Sequence, residues 1–226
     1  MSGCSIREAW YALVLAAGFS SRAGAFKPAL PLAGRAVLHR VLDAFAPVVD
    51  GVFVVTGHER ARVENLVAEW IAEYTEYNGA ERAASFCART VYNPDYAKEM
   101  MTSVLAGARA VPRGSFLFIV PADYPLITAE VTRGLRNHAL RAELHRDGEK
   151  PDVFIPRHNG KNGHPVLLAP ESLAALQASA SPSLKEFLSA RRRVYIDVDN
   201  AGVLEDLDTP EDYARIEKML REKDCI

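Results

Sequence analysis

Three charged residues stand where a phosphate-handling enzyme would want them. Asp123 follows directly on the apolar run Ser115–Val120, and Arg22 and Lys27 lie in the loop after another apolar run, Tyr11–Ala16. Asp208 belongs to the acidic stretch Glu205-Asp206-Leu207-Asp208-Thr209-Pro210. Arg and Lys neutralise and orient phosphate oxygens, and magnesium is usually held by one or two carboxylates with substrate phosphates completing its shell. In the loop itself, the small residues Ala16, Ala17 and Gly18 would let the backbone approach a flat base. Successive backbone N–H groups, with Ser20 and Ser21, could cradle phosphate oxygens. Two familiar phosphate loops do not fit the spacing. A Walker loop needs Gly-x4-Gly-Lys-Ser/Thr, whereas Gly18 and Gly24 have five residues between them and Lys27 comes three later; a dinucleotide fingerprint needs glycine where Ala16 stands. Residue types alone leave plainer roles open. Asp123 suits the turn before Pro125, and Asp208 or Thr209 suits the cap of a helix begun by Pro210, with Glu211 and Asp212 favourable in its first turn.

The elements that must position these residues alternate. Tyr11–Ala16, Gly51–Thr56, Arg89–Asn93 and Ser115–Val120 read as strands, three of them as continuous apolar runs of the kind a buried parallel strand shows. Between them, helical spacing covers Val37–Phe45, Glu59–Tyr77 and Thr102–Val111, and a further helix runs from Thr128 to about Arg141. Residues 78–88 and 145–150 read as inserted loops, and 17–35 as irregular. Strand candidates Val153–Pro156 and Pro165–Leu168 flank a polar bend, and two short helices, a strand at Arg193–Val198 and a helix from Pro210 follow. This pattern predicts an α/β fold: one three-layer domain over residues 1–226, its core about 11–218, with a mostly parallel sheet and helices on both faces. In such sheets ligands bind beyond the carboxyl ends of the strands, the edge to which the loop after Ala16 and Asp123 both belong.

Composition narrows the partners. A formal net charge of -2 offers no general attraction to nucleic acid or an anionic membrane. No segment approaches the roughly 20 apolar residues that span a bilayer, and MSGCSIREAW carries no apolar stretch of the signal-peptide kind. A cytoplasmic protein is expected, with neither nucleic acid nor membrane as partner. Cys4, Cys87 and Cys225 are too far apart in sequence to suggest a zinc site or disulfide framework.

Residues 15–38, LAAGFSSRAGAFKPALPLAGRAVL, resemble the signature of the MobA-like nucleotidyltransferases, and within them the molybdenum cofactor cytidylyltransferases. That signature runs Leu-Ala-Ala-Gly-x-Ser-x-Arg-Met-Gly-x-x-Lys, then Leu-Pro-Leu-x-Gly-x-x-Leu. Ala122-Asp123-Tyr124-Pro125-Leu126, Met100 to Gly107, Gly163-His164-Pro165-Val166-Leu167 and Asp206 to Asp212 resemble further family segments. This chain departs at Ala23, where the family has Met, at Glu99, where it has Gly, and at Tyr124, often Gln.

The resemblance implies a Rossmann-like nucleotide-diphospho-sugar transferase fold. It implies Arg22, Lys27 and Asp123 as catalytic residues, and Leu15, Ala16, Ala17, Gly18, Ser20, Arg22, Lys27, Asn93 and Ser103 as the nucleotide site. Gly163 and His164 fall on the acceptor side, and Asp123 with Asp208 on the metal, Mg2+. Ala17, in Leu-Ala-Ala-Gly, implies CTP as donor and molybdopterin as the phosphorylated acceptor, with a molybdenum hydroxylase apo-enzyme as a downstream partner. Two alternatives stand beside it. One is cytidylyl or uridylyl transfer to a small sugar- or alcohol-phosphate, and the other a non-catalytic carrier of nucleotide or pterin.

Overall fold

In the computed structural model, which describes residues 8–18, 26–144 and 150–224, strands and helices alternate along the chain. β1 (Trp10–Ala16) is followed by a short ribbon, β2 (Pro31–Leu32) and β3 (Arg35–Ala36), then α1 (Val37–Phe45) and β4 (Gly51–Thr56). α2 (Arg60–Asn78), α3 (Ala80–Ser85), β5 (Cys87–Tyr92), α4 (Met100–Ala110) and β6 (Phe116–Pro121) come next. α5 (Ala129–Leu144) leads to β7 (Val153–His158), β8 (Lys161–Asn162) and β9 (Val166–Leu168). α6 (Pro170–Gln177), α7 (Leu184–Ser189), β10 (Arg193–Asp197) and α8 (Pro210–Asp224) complete the order. Among the described residues no helix is long and apolar enough to cross a membrane.

The sheet runs β10-β7-β9-β6-β1-β4-β5, with β8 hydrogen-bonded to β7. β1 pairs in parallel with both β4 and β6, and β4 in parallel with β5. Antiparallel pairing enters with β9, which runs antiparallel to β6 and to β7, and with β8 against β7. Helical crossovers enforce the parallel pairs, since a strand re-entering beside its predecessor in the same direction must first be carried back across a face. Register then fixes the functional edge: Leu15 lies opposite Val55 on one side and Pro121 on the other.

Alternate residues of the inner strands feed two apolar layers. Ala12, Val14, Val52, Val54, Phe116 and Phe118 pack with Val41, Phe45, Val63, Trp70 and Leu135 of α1, α2 and α5. Leu13, Phe53, Val55, Leu117 and Ile119 pack on the other face with Met101, Val104 and Ala108 of α4 and with Leu173 and Leu176 of α6. A strand buried on both faces has no place for polar residues, which is why these strands read as unbroken apolar runs.

Two expectations need correction. The segment 78–88 is not all loop, because Ala80–Ser85 forms α3. Ala, Glu and Arg are good helix formers, and Gly79, at φ 81°, turns the chain out of α2 so that a new helix can start. The segment 17–35 is not irregular throughout either. Ala33 and Gly34 take φ of 45° and 75°, the paired positive values of a two-residue hairpin turn, and so join β2 to β3. In addition, α4 starts at Met100, two residues before the position expected for it.

α4 lies close on the sheet. A Cβ on Gly107 would overlap the Leu13 side chain and come within 2.7 Å of Val55 Cγ2. Gly107→Val should therefore destabilise the protein by about 1–3 kcal/mol through overpacking. The check is a lower urea midpoint at unchanged slope; an unmoved midpoint would mean that the helix can retreat freely.

Candidate functional site

The carboxyl ends of β1 and β6 carry their pairing one step past the sheet. The Ala122 N–H donates to the Leu15 carbonyl at 3.0 Å, so Asp123 is set beside Ala17 and Gly18. β4 and β5 extend in the same way, through the Asn93 N–H donating to the Thr56 carbonyl at 2.9 Å. A cavity of about 380 Å³ opens over this edge, with Leu15, Ala16, Ala17, Gly18, Lys27, Ser103 and Asp123 in its wall.

Lys27 heads the 3₁₀ turn Lys27–Ala29, fixed there by the Leu30 N–H donating to its carbonyl at 3.0 Å. It is only 9% exposed. Its ammonium donates to Asp208 Oδ1 at 2.7 Å and stands 3.8 Å from Asp123 Oδ2. Removal from water pushes the Asp123 carboxyl up to about 6; Lys27 opposes that rise, while Asp208 and Asp206 add to it. Burial, and then the charge of Asp208, raise Asp206 as well. The other Asp123 oxygen, Oδ1, is buried with no hydrogen-bond partner. An unsatisfied buried carboxylate oxygen is costly unless something cationic completes it. Asp123 and Asp208 thus fit Mg2+, which takes oxygen ligands and keeps places for phosphates and water. No group of three or more His, Cys, Asp or Glu among the described residues suits a metal ion, so these two carboxylates would rely on substrate oxygens to fill the shell.

The arm that delivers Asp208 is held from below. The Leu207 N–H donates to the Asp123 carbonyl at 2.9 Å, and the Leu207 side chain is buried with Leu32, Val37, Leu126 and Ile216. Thr209 is the cap of α8: its hydroxyl accepts from the Asp212 N–H at 3.1 Å, while the Asp212 carboxylate accepts from the Thr209 N–H at 2.9 Å. The Asp208 carboxylate is therefore not spent on the cap and turns to Lys27.

Asn93 is only 2% exposed, and the structure sets it behind the cavity rather than in its lining. Both amide protons are used, donating to the hydroxyls of Thr102 and Ser103 at 2.9 Å each, and its Oδ1 accepts from the Asp95 N–H at 3.0 Å. Its direct chemistry is to hold Ser103, which does reach the cavity. Arg22 and Ser20 lie outside the described residues, as do most of the 145–150 segment and the cysteines at 4 and 225.

Beyond Asp123, Gly163 and His164 are brought up by the turn after β8. The Gly163 N–H donates to the Pro156 carbonyl at 2.8 Å, and the His164 N–H to the Val203 carbonyl at 2.9 Å. A Cβ on Gly163 would collide with that Val203 carbonyl. The His164 ring meets Tyr124 edge-on, centroids 4.7 Å apart. Burial holds the imidazole down to about 4, against the opposing effect of a hydrogen bond to the Ile119 backbone, so it is neutral at pH 7. Tyr124 is pushed up to about 12 by burial and by Asp206, Asp123 and Asp208, so its phenol stays protonated. Gly163, His164 and Tyr124 are not in the cavity's lining; the two rings form an uncharged aromatic pair beside the carboxylate cluster.

Sequence reasoning missed Tyr96 and Lys98, which line the cavity together with Met100. Tyr96 packs where a Gly57 Cβ would be, and that Cβ would also lie 2.8 Å from the Ala17 carbonyl. The signal was available in Asn93-Pro94-Asp95-Tyr96, a turn sequence directly after a strand whose carboxyl end faces the site.

Comparison with known proteins gives a family and a fold. The sequence model of the family described as MobA-like NTP transferase domain matches residues 12–194. A molybdenum cofactor cytidylyltransferase of Escherichia coli (strain K12) is 28% identical over 203 residues, which cover 89% of this chain and 92% of that protein. Among solved structures, a nucleotidyl transferase from Methanothermobacter thermautotroptrophicus superposes with a TM-score of 0.72 at 21% identity, covering 95% of this chain and 99% of that one. Molybdopterin-guanine dinucleotide biosynthesis protein A from Archaeoglobus fulgidus gives 0.63 at 18%, covering 94% and 99%. The two structural likenesses speak for the fold.

The buried carboxyl has a consequence for stability. In the metal-free protein Asp123 binds its proton more tightly folded, at about 6, than at its ordinary 3.8. Its contribution is therefore fully present below about pH 4 and is lost as the pH rises through about 6. Asp123→Asn has no charge to bury. The variant should be more stable than wild type at pH 7, by on the order of 1–2 kcal/mol, and the two should converge towards pH 4. Urea midpoints of both proteins across this range decide it, and a constant difference would assign the raised titration to another group.

Proposed function

Because the chain belongs to the MobA-like NTP transferase family and is a nucleotidyltransferase, we propose that it transfers CMP from CTP to molybdopterin and releases pyrophosphate, with Mg2+ as cofactor. The observation that carries this reading is the meeting of Lys27, Asp123 and Asp208 beside the small-residue loop Ala16–Gly18. A nucleotide laid on that loop would bring its phosphates to the place where Lys27 meets the carboxylates of Asp123 and Asp208. Ala17, by its place in Leu-Ala-Ala-Gly, favours cytidine, and the printed name of the Escherichia coli relative points the same way.

The acceptor's phosphate monoester has a second pKa of ~6 and is mostly dianionic at neutral pH, so no general base is needed. One of its oxygens forms a bond to the α-phosphorus of CTP as the bond to pyrophosphate breaks in line on the far side. The residues at the site contribute charge and position. Lys27, with Arg22, stabilises charge gathering on the α-phosphate and the departing pyrophosphate. Asp123 and Asp208 would hold the magnesium, which supplies further neutralisation of the phosphates. Ser103 and the first turn of α4 offer polar groups towards the nucleoside, and His164, neutral behind Tyr124, supports the acceptor side. On this reading one domain spanning residues 1–226 acts in the cytoplasm and passes its product to a molybdenum hydroxylase apo-enzyme.

Purified protein with magnesium, molybdopterin and either CTP or GTP should release pyrophosphate with CTP alone. Release with GTP alone would sink the cytidine reading while keeping the chemistry. Release with neither, but with a small sugar- or alcohol-phosphate as acceptor, would replace molybdopterin. Stoichiometric nucleotide binding without any pyrophosphate would favour a carrier. Lys27→Ala and Asp123→Ala should each lower turnover at least ~100-fold, the scale of losing one preorganised electrostatic partner. His164→Ala should act mainly by raising the KM for the acceptor, and an unchanged acceptor dependence would remove it from that role.

A further inference from the structure

Lys27 occupies the ground that a metal would need. Its Nζ lies 2.7 Å from Asp208 Oδ1 and 3.8 Å from Asp123 Oδ2, so the ammonium stands between the two carboxylates. The lysine side chain is 11% exposed, and Lys27 and Asp123 both lie in the cavity's wall. Magnesium binds oxygen at about 2.0–2.1 Å and an ammonium at about 2.7–2.9 Å. Both can share the same Asp208 oxygen, facing Asp123, only by bringing two cations to close range, where they repel. Nor does the ammonium satisfy the pair fully, since Asp123 Oδ1 remains buried without a partner. The same lysine lines the cavity into which a triphosphate would enter. A triphosphate carries enough negative charge to draw the ammonium off the carboxylates.

We infer that Lys27 is a built-in stand-in for the divalent cation: it closes the Asp123–Asp208 site to free metal until a nucleoside triphosphate takes over its charge. The inference rests on the reading of Asp123 and Asp208 as metal ligands, and it adds the order and coupling of binding at that site. Nucleotide and metal each favour the arrangement with Lys27 turned to phosphate, so each raises the affinity of the other by the same factor. Metal alone must first displace an ammonium that has nowhere equally good to go. The device also keeps Asp123, whose burial opposes its charge, from standing without any positive neighbour in the resting protein.

The test is Mn2+ binding to the full chain without nucleotide, followed by the electron paramagnetic resonance signal of free Mn2+ at pH 8. Lys27→Gln and Lys27→Met remove the charge and should bind Mn2+ at least ~10-fold more tightly than wild type, the factor equivalent to about one charge-assisted contact. Lys27→Arg keeps the charge and should bind no better than wild type. Asp208→Asn added to Lys27→Gln should abolish the gain, which a general loosening of the fold would not do. Neutral variants that bind Mn2+ no more tightly than wild type would overturn the inference. If wild type nevertheless transfers CMP from CTP to molybdopterin with magnesium, releasing pyrophosphate, the proposed function stands without it. Absence of that release would strike the function itself.

Discussion

A carboxylate taken out of water needs a positive neighbour, and around Asp123 this need organises the functional edge of the protein. Desolvation raises its carboxyl, and Asp206 and Asp208 raise it further. Lys27, 96 positions earlier in the chain, supplies the opposing charge while bound to Asp208, 181 positions away from it. Three remote segments must therefore arrive together to within a few ångströms. Such placement is expensive in conformational entropy, and the bulk of the apolar packing has to carry it.

The sheet supplies that packing. β1 lies between β4 and β6 in parallel register, with apolar layers on both faces, so the ends of these strands are fixed relative to one another. Ala16–Gly18 and Asp123 extend from those ends. The Asp208 arm is tied from beneath by Leu207, through its backbone to Asp123 and through its side chain to a small apolar cluster. Polar chemistry at this edge thus stands on a hydrophobic footing. Its two halves differ in character: Lys27, Asp123, Asp206 and Asp208 form a charged centre, while Tyr124 and His164 flank it as neutral aromatics.

Much of this was legible in the residues. β4 matched its expected bounds, and the ends of β1 and β6 shifted by a single residue, because strands buried on both faces announce themselves as unbroken apolar runs. α3 was hidden inside a segment read as loop, since one short helix lacks a repeating apolar face by which to be seen. Asn93 was placed at the end of its strand, yet its amide turns inward to Thr102 and Ser103. Direction of that kind depends on which hydroxyls a distant helix brings near. Tyr96 and Lys98 went unremarked because they belong to a turn whose own residues suffice to explain it.

The amino-acid sequence by itself determined the alternation of strands and helices, the edge at which the chemistry gathers, and the candidates Lys27, Asp123 and Asp208. The first two follow from local periodicity and from residue types at strand ends, and the candidates gain their roles from the family resemblance of the segments that carry them. Tertiary structure decided between the roles left open there. It gave the cap of α8 to Thr209 and turned Asp208 to Lys27, set Asn93 behind Ser103, and left Asp123 with one buried oxygen unsatisfied. Those outcomes depend on distances between residues far apart in the chain and on how much water each retains, and neither is written in any local stretch of residues.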